Sequence, residues 1–291
     1  MEVEMSQEIK SGFYRQSFIE YIKTPAVNRS FLHDLITWSP GHARYKVEHP
    51  DDTDSLRLGH AFHPSVLEPE KFEHEFVILP ANCRSGTKEN PNKGMKANLA
   101  AFNAQCEANN QLIITQDASD NIRQMAAVVH SDQHAIDLLS NGEAELSGYF
   151  VDPDYPDIPI KIRIDWINKN ERILTDLKSC ADAREFPFRA AAHKFGDDLQ
   201  AFMYLFGTTQ ITGESYSEFN FICCESKGFH GLAIYTADDE MLNTGWEKYQ
   251  KAMALYAKCL EKDEWPGYDS TPKPLGSPSY AKERIDMAIW D

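Results

Sequence analysis

Asp165, Asp176 and Lys178 are spaced for chemistry at a phosphate. The run Asn168-Lys169-Asn170-Glu171 has the composition of a turn, and the midpoint between the two aspartates falls inside it. Folded as a hairpin, the flanking strands set the two carboxylates opposite each other, about 5 Å apart at Cβ. Lys178 stands two residues past Asp176, and period-two alternation turns both to the same side. Two like charges this close destabilise a sheet unless a cation lies between them, so the arrangement predicts a divalent metal held through oxygen. An ammonium beside such an ion orients or helps deprotonate a water and opposes charge developing on a phosphate. Asp-x-Lys alone is more often the mark of a structural salt bridge, so its companions matter. Gln200 and Tyr204, four apart on a predicted helix, share one face and reach the side the hairpin presents. Gly59 and His63 repeat that spacing upstream, the glycine permitting close backbone approach and the histidine able to ligate a metal or touch a phosphate.

In this order, Gly59-x-x-x-His63, Asp165, Asp176-Leu177-Lys178 and Gln200-x-x-x-Tyr204, the set resembles the RecB-type branch of the PD-(D/E)XK nuclease superfamily. SFLHDLITWSPGHARYK, LGHAFHPSVLEPEKF, GEAELSGYF and the Trp-Pro-Gly-Tyr at Tyr268 narrow the likeness to the nuclease domains of the RecE (exodeoxyribonuclease VIII) family, over nearly the whole chain. The resemblance implies an α/β, restriction-endonuclease-like core: a mixed central sheet with an antiparallel meander, flanked by α-helices. It implies Mg2+ as cofactor, with Mn2+ as a substitute, and 5′-to-3′ degradation of one strand of linear double-stranded DNA, leaving a 3′ single strand for recombination. A ring-shaped homotetramer and a recombinase that anneals single strands are the implied partners. Carried over by position, Asp165 and Asp176 are metal ligands, joined by the backbone carbonyl of Leu177 and by His63. Lys178 then serves the nucleophilic water, Gln200 and Tyr204 steady the scissile phosphate or the water, and Glu145 on the preceding strand assists. The chain departs from the pattern at Ile164, where the superfamily's name has proline. It departs again at Pro64, which removes a helical hydrogen bond directly after His63 and leaves His60 as a competitor for the role.

Two rival readings accompany this one: a structure-specific DNA endonuclease on the same fold, and a DNA-binding or assembly protein that has kept the fold without turnover. Arg184, Arg189, Lys194, Arg84 and Lys88 are candidate DNA contacts, against the ordinary reading of a solvated face. Phe186-Pro187-Phe188, bracketed by Arg184 and Arg189, reads as a wedge and phosphate clamp at a duplex end or as core at a helix start. His130 and His134 have zinc-binding spacing, but Ser131 replaces the glutamate of H-E-x-x-H, so a helix surface is expected. The six cysteines lack C-x-x-C spacing and read as reduced thiols, with no iron-sulfur cluster and no base placed to activate Cys180.

The elements that must position these groups follow from periodicity. Helices are predicted from Ser30 to Trp38, ended by Ser39-Pro40-Gly41, from Thr53 or Asp54 to Leu67, and from Asp120 to Leu139. FEHEFVILP alternates as a strand up to Pro80. After Gly142 three strands form a meander over AELSGYFV, PIKIRIDWI and RILTDLKSC. A helix near Asp197 to Phe206, strands at FNFICCE and GLAIYTA, and a long helix stopped by Trp265-Pro266-Gly267 complete the chain. Absent repeats, a single exonuclease domain over 1–291 is expected, with its core at about 53–262 and a mobile basic loop at about 81–96. The net charge of −16 argues against indiscriminate nucleic-acid binding but leaves room for a local basic channel. No apolar run of about 18 residues and no signal-peptide pattern is present, so a cytoplasmic protein is expected.

Overall fold

The computed structural model describes residues 10–51, 53–80, 83 and 93–277. Capping residues account for the start of most helices in the N-terminal half. After β1 (Gly12–Tyr14), Ser17 and Glu20 form a reciprocal capping box that opens α1 (Phe18–Lys23). Asn28, two residues earlier than the Ser30 expected, caps α2 (Arg29–Thr37). Ser39-Pro40 ends that helix but also begins another, α3 (Pro40–Glu48), because Ser39 accepts the His42 amide and Pro40 sits in the first turn, where its missing N–H costs nothing. Thr53 caps α4 (Asp54–Leu67), which runs unbroken through Pro64. Pro69 likewise both stops α4 and opens α5 (Pro69–Glu75), so the expected strand shrinks to β2 (Phe76–Ile78).

The predicted basic loop enters a helix, α6 (Lys93–Ala108), at Lys93, whereas Arg84 and Lys88 lie outside the described residues. After β3 (Leu112–Ile114) the long predicted helix is two: α7 (Gln116–Ser131) and α8 (Gln133–Leu138), divided where Asp132 caps the second. His130 and His134 thereby fall on different helices, and His130 Nε2 lies 2.9 Å from the Val66 carbonyl. The meander appears as β4 (Glu143–Val151), β5 (Pro159–Asn168) and β6 (Ile173–Cys180). It leads into α9 (Glu185–Phe195), α10 (Asp197–Thr212), β7 (Glu218–Glu225), β8 (Leu232–Thr236) and α11 (Asp239–Lys262).

The main sheet has the order β1-β4-β5-β6-β7-β8. Only β6 and β7 run parallel, with α9 and α10 as their crossover, so the sheet is mixed as expected; β2 and β3 form a separate parallel pair. Helices cover both faces. Ile160, Ile162, Phe219 and Phe221 share one core with Leu199 and Met203 of α10 and Tyr249 and Met253 of α11. Leu177, Ile222 and Cys224 pack with Phe62 and Val66 of α4 and Met125 and Val129 of α7. Helix α11 approaches α10 closely because Gly245 has no side chain: a Cβ there would lie 2.1 Å from the Asp198 carbonyl oxygen. Among the described residues no helix is long and apolar enough to cross a membrane.

Candidate active site

The hairpin that carries Asp165 and Asp176 is paired only near its turn. β5 and β6 are in register over Trp166–Thr175, Ile167–Leu174 and Asn168–Ile173, and there the ladder ends. Beyond it β5 stays with β4, and β6 stays with β7 along its whole length, so the sheet forks. Asp165 and Asp176 are the next pair in register, at the mouth of the fork. The Leu177 amide, which a continued ladder would leave to β5, donates instead to Asp165 Oδ2 at 2.9 Å.

Strict alternation places both acids on one face; the structure corrects this. Ile164 and Ile167 share the α10-side core although they stand three positions apart, an interval that alternation does not produce. Between them Asp165 turns to α4, where its Oδ1 lies 3.4 Å from His63 Nδ1, and Trp166 follows it to line a cavity with Val66 of α4 and Val129. Asp176 instead faces α10. Its Oδ1 accepts a short hydrogen bond from Gln200 Nε2, and its Oδ2 lies 2.8 Å from Lys178 Nζ without meeting hydrogen-bond geometry. The two acids remain electrostatically coupled: burial raises the Asp176 carboxyl to about 6, Lys178 opposes the rise, and Asp165 adds to it.

Two groups of side chains result. In the first, His63, Glu145 and Asp165 offer ligand atoms within 4.8 Å of one another, a set fit for one divalent cation. Glu145 joins through an unusual backbone: its φ is +54° within β4, left-handed for a residue with a side chain, and the β4–β5 pairing skips Glu145 and Asp165. Arg163 holds the carboxylate, donating from Nε at 2.8 Å, while its Nη1 donates to Ser147 Oγ and to the Gln16 carbonyl. The guanidinium lies 5.8 Å from the Phe18 ring and 5.9 Å from the Tyr21 ring. Burial alone would raise the Glu145 carboxyl, but His63 and Arg163 outweigh it and pull it to about 2. Burial would lower His63, but Asp165 and Glu145 outweigh it and hold the imidazole well above its ordinary value.

The second group is built around Lys178. Its ammonium lies 3.1 Å from Asp197 Oδ1 and donates to Gln200 Oε1 at 2.8 Å; burial opposes its charge, and Asp176 and Asp197 more than restore it. Arg29 reaches Gln200 Oε1 at 3.4 Å from the other end of the chain. Tyr204 is buried, which raises its phenol to about 12; Arg29 opposes the rise and Asp176 and Asp165 reinforce it. His63 rather than His60 meets the acids, because His60 turns toward the rings of Phe18 and Phe76. Gly59 lies against β6, where a Cβ would meet Ser179 Oγ at 3.6 Å.

Spacing singled out neither Asp197, Arg29 nor Arg163. Asp197 carried a signal, standing three residues before Gln200 on the same helix. The other two carried none, since their partners are set by tertiary packing. Replacing Arg163 with Met is expected to lower stability by about 3 kcal/mol, because it strands the Glu145 carboxylate in a site where its side chain is only 12% exposed. Urea unfolding at neutral pH measures this; a change under about 1 kcal/mol would show that Glu145 does not depend on the clamp.

The candidate DNA contacts are divided. Arg184 is exposed and donates to Asp182, Arg189 is exposed with Glu185 at 3.8 Å, and Lys194 is exposed with its Nζ 5.2 Å from the Phe195 ring. Phe188 is core, stacked on Tyr235, while Phe186 is 72% exposed, so only one ring of Phe186-Pro187-Phe188 is free for a surface role.

Comparison with known proteins bears on the fold and the family. A crystal structure of a "Putative exonuclease" from Eubacterium rectale superposes with a TM-score of 0.61 at 14% identity, over 93% of this chain and 98% of its own. One of SSO0001 reaches a TM-score of only 0.30 at 13% identity, over 70% of this chain and 87% of its own, too low to carry an argument. No curated protein matches the chain. The model of the PDDEXK-like domain of unknown function, DUF3799, matches residues 37–271, a span that holds the fork, both groups around it except Arg29, and every strand but β1. The chain therefore belongs to the PDDEXK-like DUF3799 family, and its mixed sheet with flanking helices is the restriction-endonuclease-like fold of PD-(D/E)XK nucleases.

Proposed function

We propose that this protein is a metal-dependent exodeoxyribonuclease that hydrolyses phosphodiesters of linear double-stranded DNA. One observation carries the reading: at the fork a carboxylate-histidine set that suits a divalent cation adjoins a partly buried lysine held in its charged form. His63, Glu145 and Asp165 would hold the ion, with Asp176 and the Leu177 carbonyl beside them. The chemistry of the donor set supports the fit: two carboxylates and an imidazole whose ligand atoms lie within 4.8 Å of one another. A bound Mg2+, or Mn2+ in its place, supplies Lewis-acid polarisation of the phosphate and a more acidic water. Because Asp176 and Asp197 keep Lys178 protonated, its part is to orient the water and to oppose charge on the phosphate. Gln200 fixes Asp176 and Lys178 relative to each other, and Tyr204 completes that wall.

The order of motifs, similar to that of RecE-type nucleases, supports the finer assignments: 5′-to-3′ polarity, a 3′ single strand handed to an annealing recombinase, a ring-shaped homotetramer, one domain for the whole chain, and a cytoplasmic site of action. Arg184, Arg189, Lys194, Arg84 and Lys88 are proposed DNA contacts. End-labelled linear duplex incubated with Mg2+ or with EDTA tests the core of the reading. Unaltered protein is expected to release 5′-mononucleotides only with the metal, and Asp176→Ala and Lys178→Ala to lose at least about 10²-fold. Activity that survives either change, or internal cutting of circular duplex, would refute the assignment.

A further inference from the structure

We propose that the end of the sheet just beyond Lys178 is a stacking platform for unpaired DNA bases, a reading that rests on the nuclease centre proposed above and adds a surface to it. Two of the most exposed large apolar side chains stand there: Phe229, 93% exposed, and Phe186, 72% exposed. Phe229 lies on the turn after β7 and Phe186 in the first turn of α9, which follows β6. Since β6 and β7 are parallel neighbours, with Cys180 paired to Glu225, both segments leave the sheet at the same end. Cys180 is two residues past Lys178, about 7 Å along the strand.

The two segments are clipped into one unit. Ser226 N donates to the Cys180 carbonyl at 2.8 Å, and Glu225 accepts from the Ala183 amide at 3.1 Å and the Gly231 amide at 3.3 Å. Asn121 of α7 donates to the Ser226 carbonyl at 3.2 Å. Gly228 and His230, with φ of +74° and +57°, turn the chain tightly on either side of Phe229. His230 is buried, with Nδ1 2.9 Å from the Glu225 carbonyl, so the ring between them is held out on a braced turn. A ring so placed gains nothing from the fold.

The occupant follows from charge. Arg184, Arg189 and Lys227 are exposed on the same two segments as the rings, and the Arg189 guanidinium lies 5.8 Å from the Phe186 ring; Arg184 pairs with Asp182 at 2.6 Å and Arg189 lies 3.8 Å from Glu185, exposed pairs that a phosphate would compete for. Aromatic faces interleaved with cations suit a strand whose bases are unpaired, each offering a π-face beside a phosphate. Duplex DNA offers such faces only at its end.

The test is binding in EDTA, where no hydrolysis is required. Fluorescence anisotropy of a labelled single-stranded oligonucleotide is compared with that of a blunt duplex hairpin of equal charge. Phe229→Ser and Phe186→Ser are each expected to weaken single-strand binding about tenfold, the pair together more, and blunt-duplex binding less than threefold. Emission of 2-aminopurine placed in the single strand should change on binding the unaltered protein and not on binding the double variant. Arg184→Ala with Arg189→Ala should flatten the salt dependence of binding. Single-strand affinity within twofold of the unaltered protein in the double variant would overturn the platform. So would a change in sedimentation of the double variant, which would make this end a contact between copies of the chain. If Mg2+ brings no nucleotide release from unaltered protein, the nuclease reading fails, while the binding result still decides the platform.

Discussion

Asp165→Asn is expected to abolish Mg2+-dependent release of nucleotides from linear duplex DNA, by about 10³-fold or more, while the protein stays folded. The substitution isolates charge from shape. An asparagine oxygen in the place of Oδ2 can still accept the Leu177 amide that donates at 2.9 Å, so the mouth of the fork keeps its hydrogen bond. What disappears is one of the two carboxylates that share the candidate ion with His63. Losing several kcal/mol of charge stabilisation at a reacting phosphate corresponds to about three decades in rate. Calorimetry should show divalent-ion affinity falling at least about thirtyfold, and urea unfolding should stay within about 1 kcal/mol of the unaltered protein. A rate within tenfold of the unaltered enzyme would mean that the ion, if required, sits elsewhere.

Binding of that ion is expected to expel a proton from His63. In the metal-free protein the imidazole lies between Glu145 and Asp165 and is held charged by them, so the cations His63, Arg163, Lys178 and Arg29 match the anions Glu145, Asp165, Asp176 and Asp197. A nitrogen ligand must be neutral, so metal and proton compete. Titrating Mn2+ at neutral pH in buffers of different ionisation enthalpy should reveal close to one proton released, and affinity should climb about tenfold per pH unit until free His63 deprotonates. His63→Gln should remove both effects. A binding enthalpy independent of buffer would exclude His63 as the proton source.

The same charges set the pH dependence of the metal-free fold. The raised His63 contributes its stabilisation fully below its ordinary value of 6.5 and loses it as pH rises through the folded value. The depressed Glu145 contributes fully above 4.5 and loses its part as pH falls toward about 2. Asp176, raised to about 6, ionises at a growing cost from its ordinary 3.8 upward. The three together place the optimum of the metal-free protein in acid, between about 3.8 and 4.5, where the gain from Glu145 and the loss from Asp176 balance and above which only losses remain.

Much of this was written in local patterns. The meander is legible because period-two alternation and the turn Asn168–Glu171 are properties of adjacent residues, and a short turn dictates register; Trp166 indeed faces Thr175. Some helix starts were legible where a side chain caps its own amides, as at Thr53, but the caps at Ser17 and Thr115 were not. Starts were also missed where one residue does two tasks, since Ser39-Pro40 and Glu68-Pro69 each end a helix and begin the next. The grouping of His63 and Lys178 with the aspartates was accessible from residue type and order, though not its shape.

That shape belongs to tertiary structure. Alternation assumes a strand paired along its length, but β6 leaves β5 after Thr175 to remain with β7, a strand some forty residues later, and Asp165 turns to α4 in the gap. Glu145 acquires its left-handed backbone beside Arg163, whose guanidinium is covered by Phe18 and Tyr21 from a helix far upstream. Arg29 meets Gln200 across 171 residues. Sequence determined which groups are available and which strands present them, because those depend on neighbours along the chain. Packing decided which carboxylates converge, because that depends on where strands part and on side chains no local pattern connects.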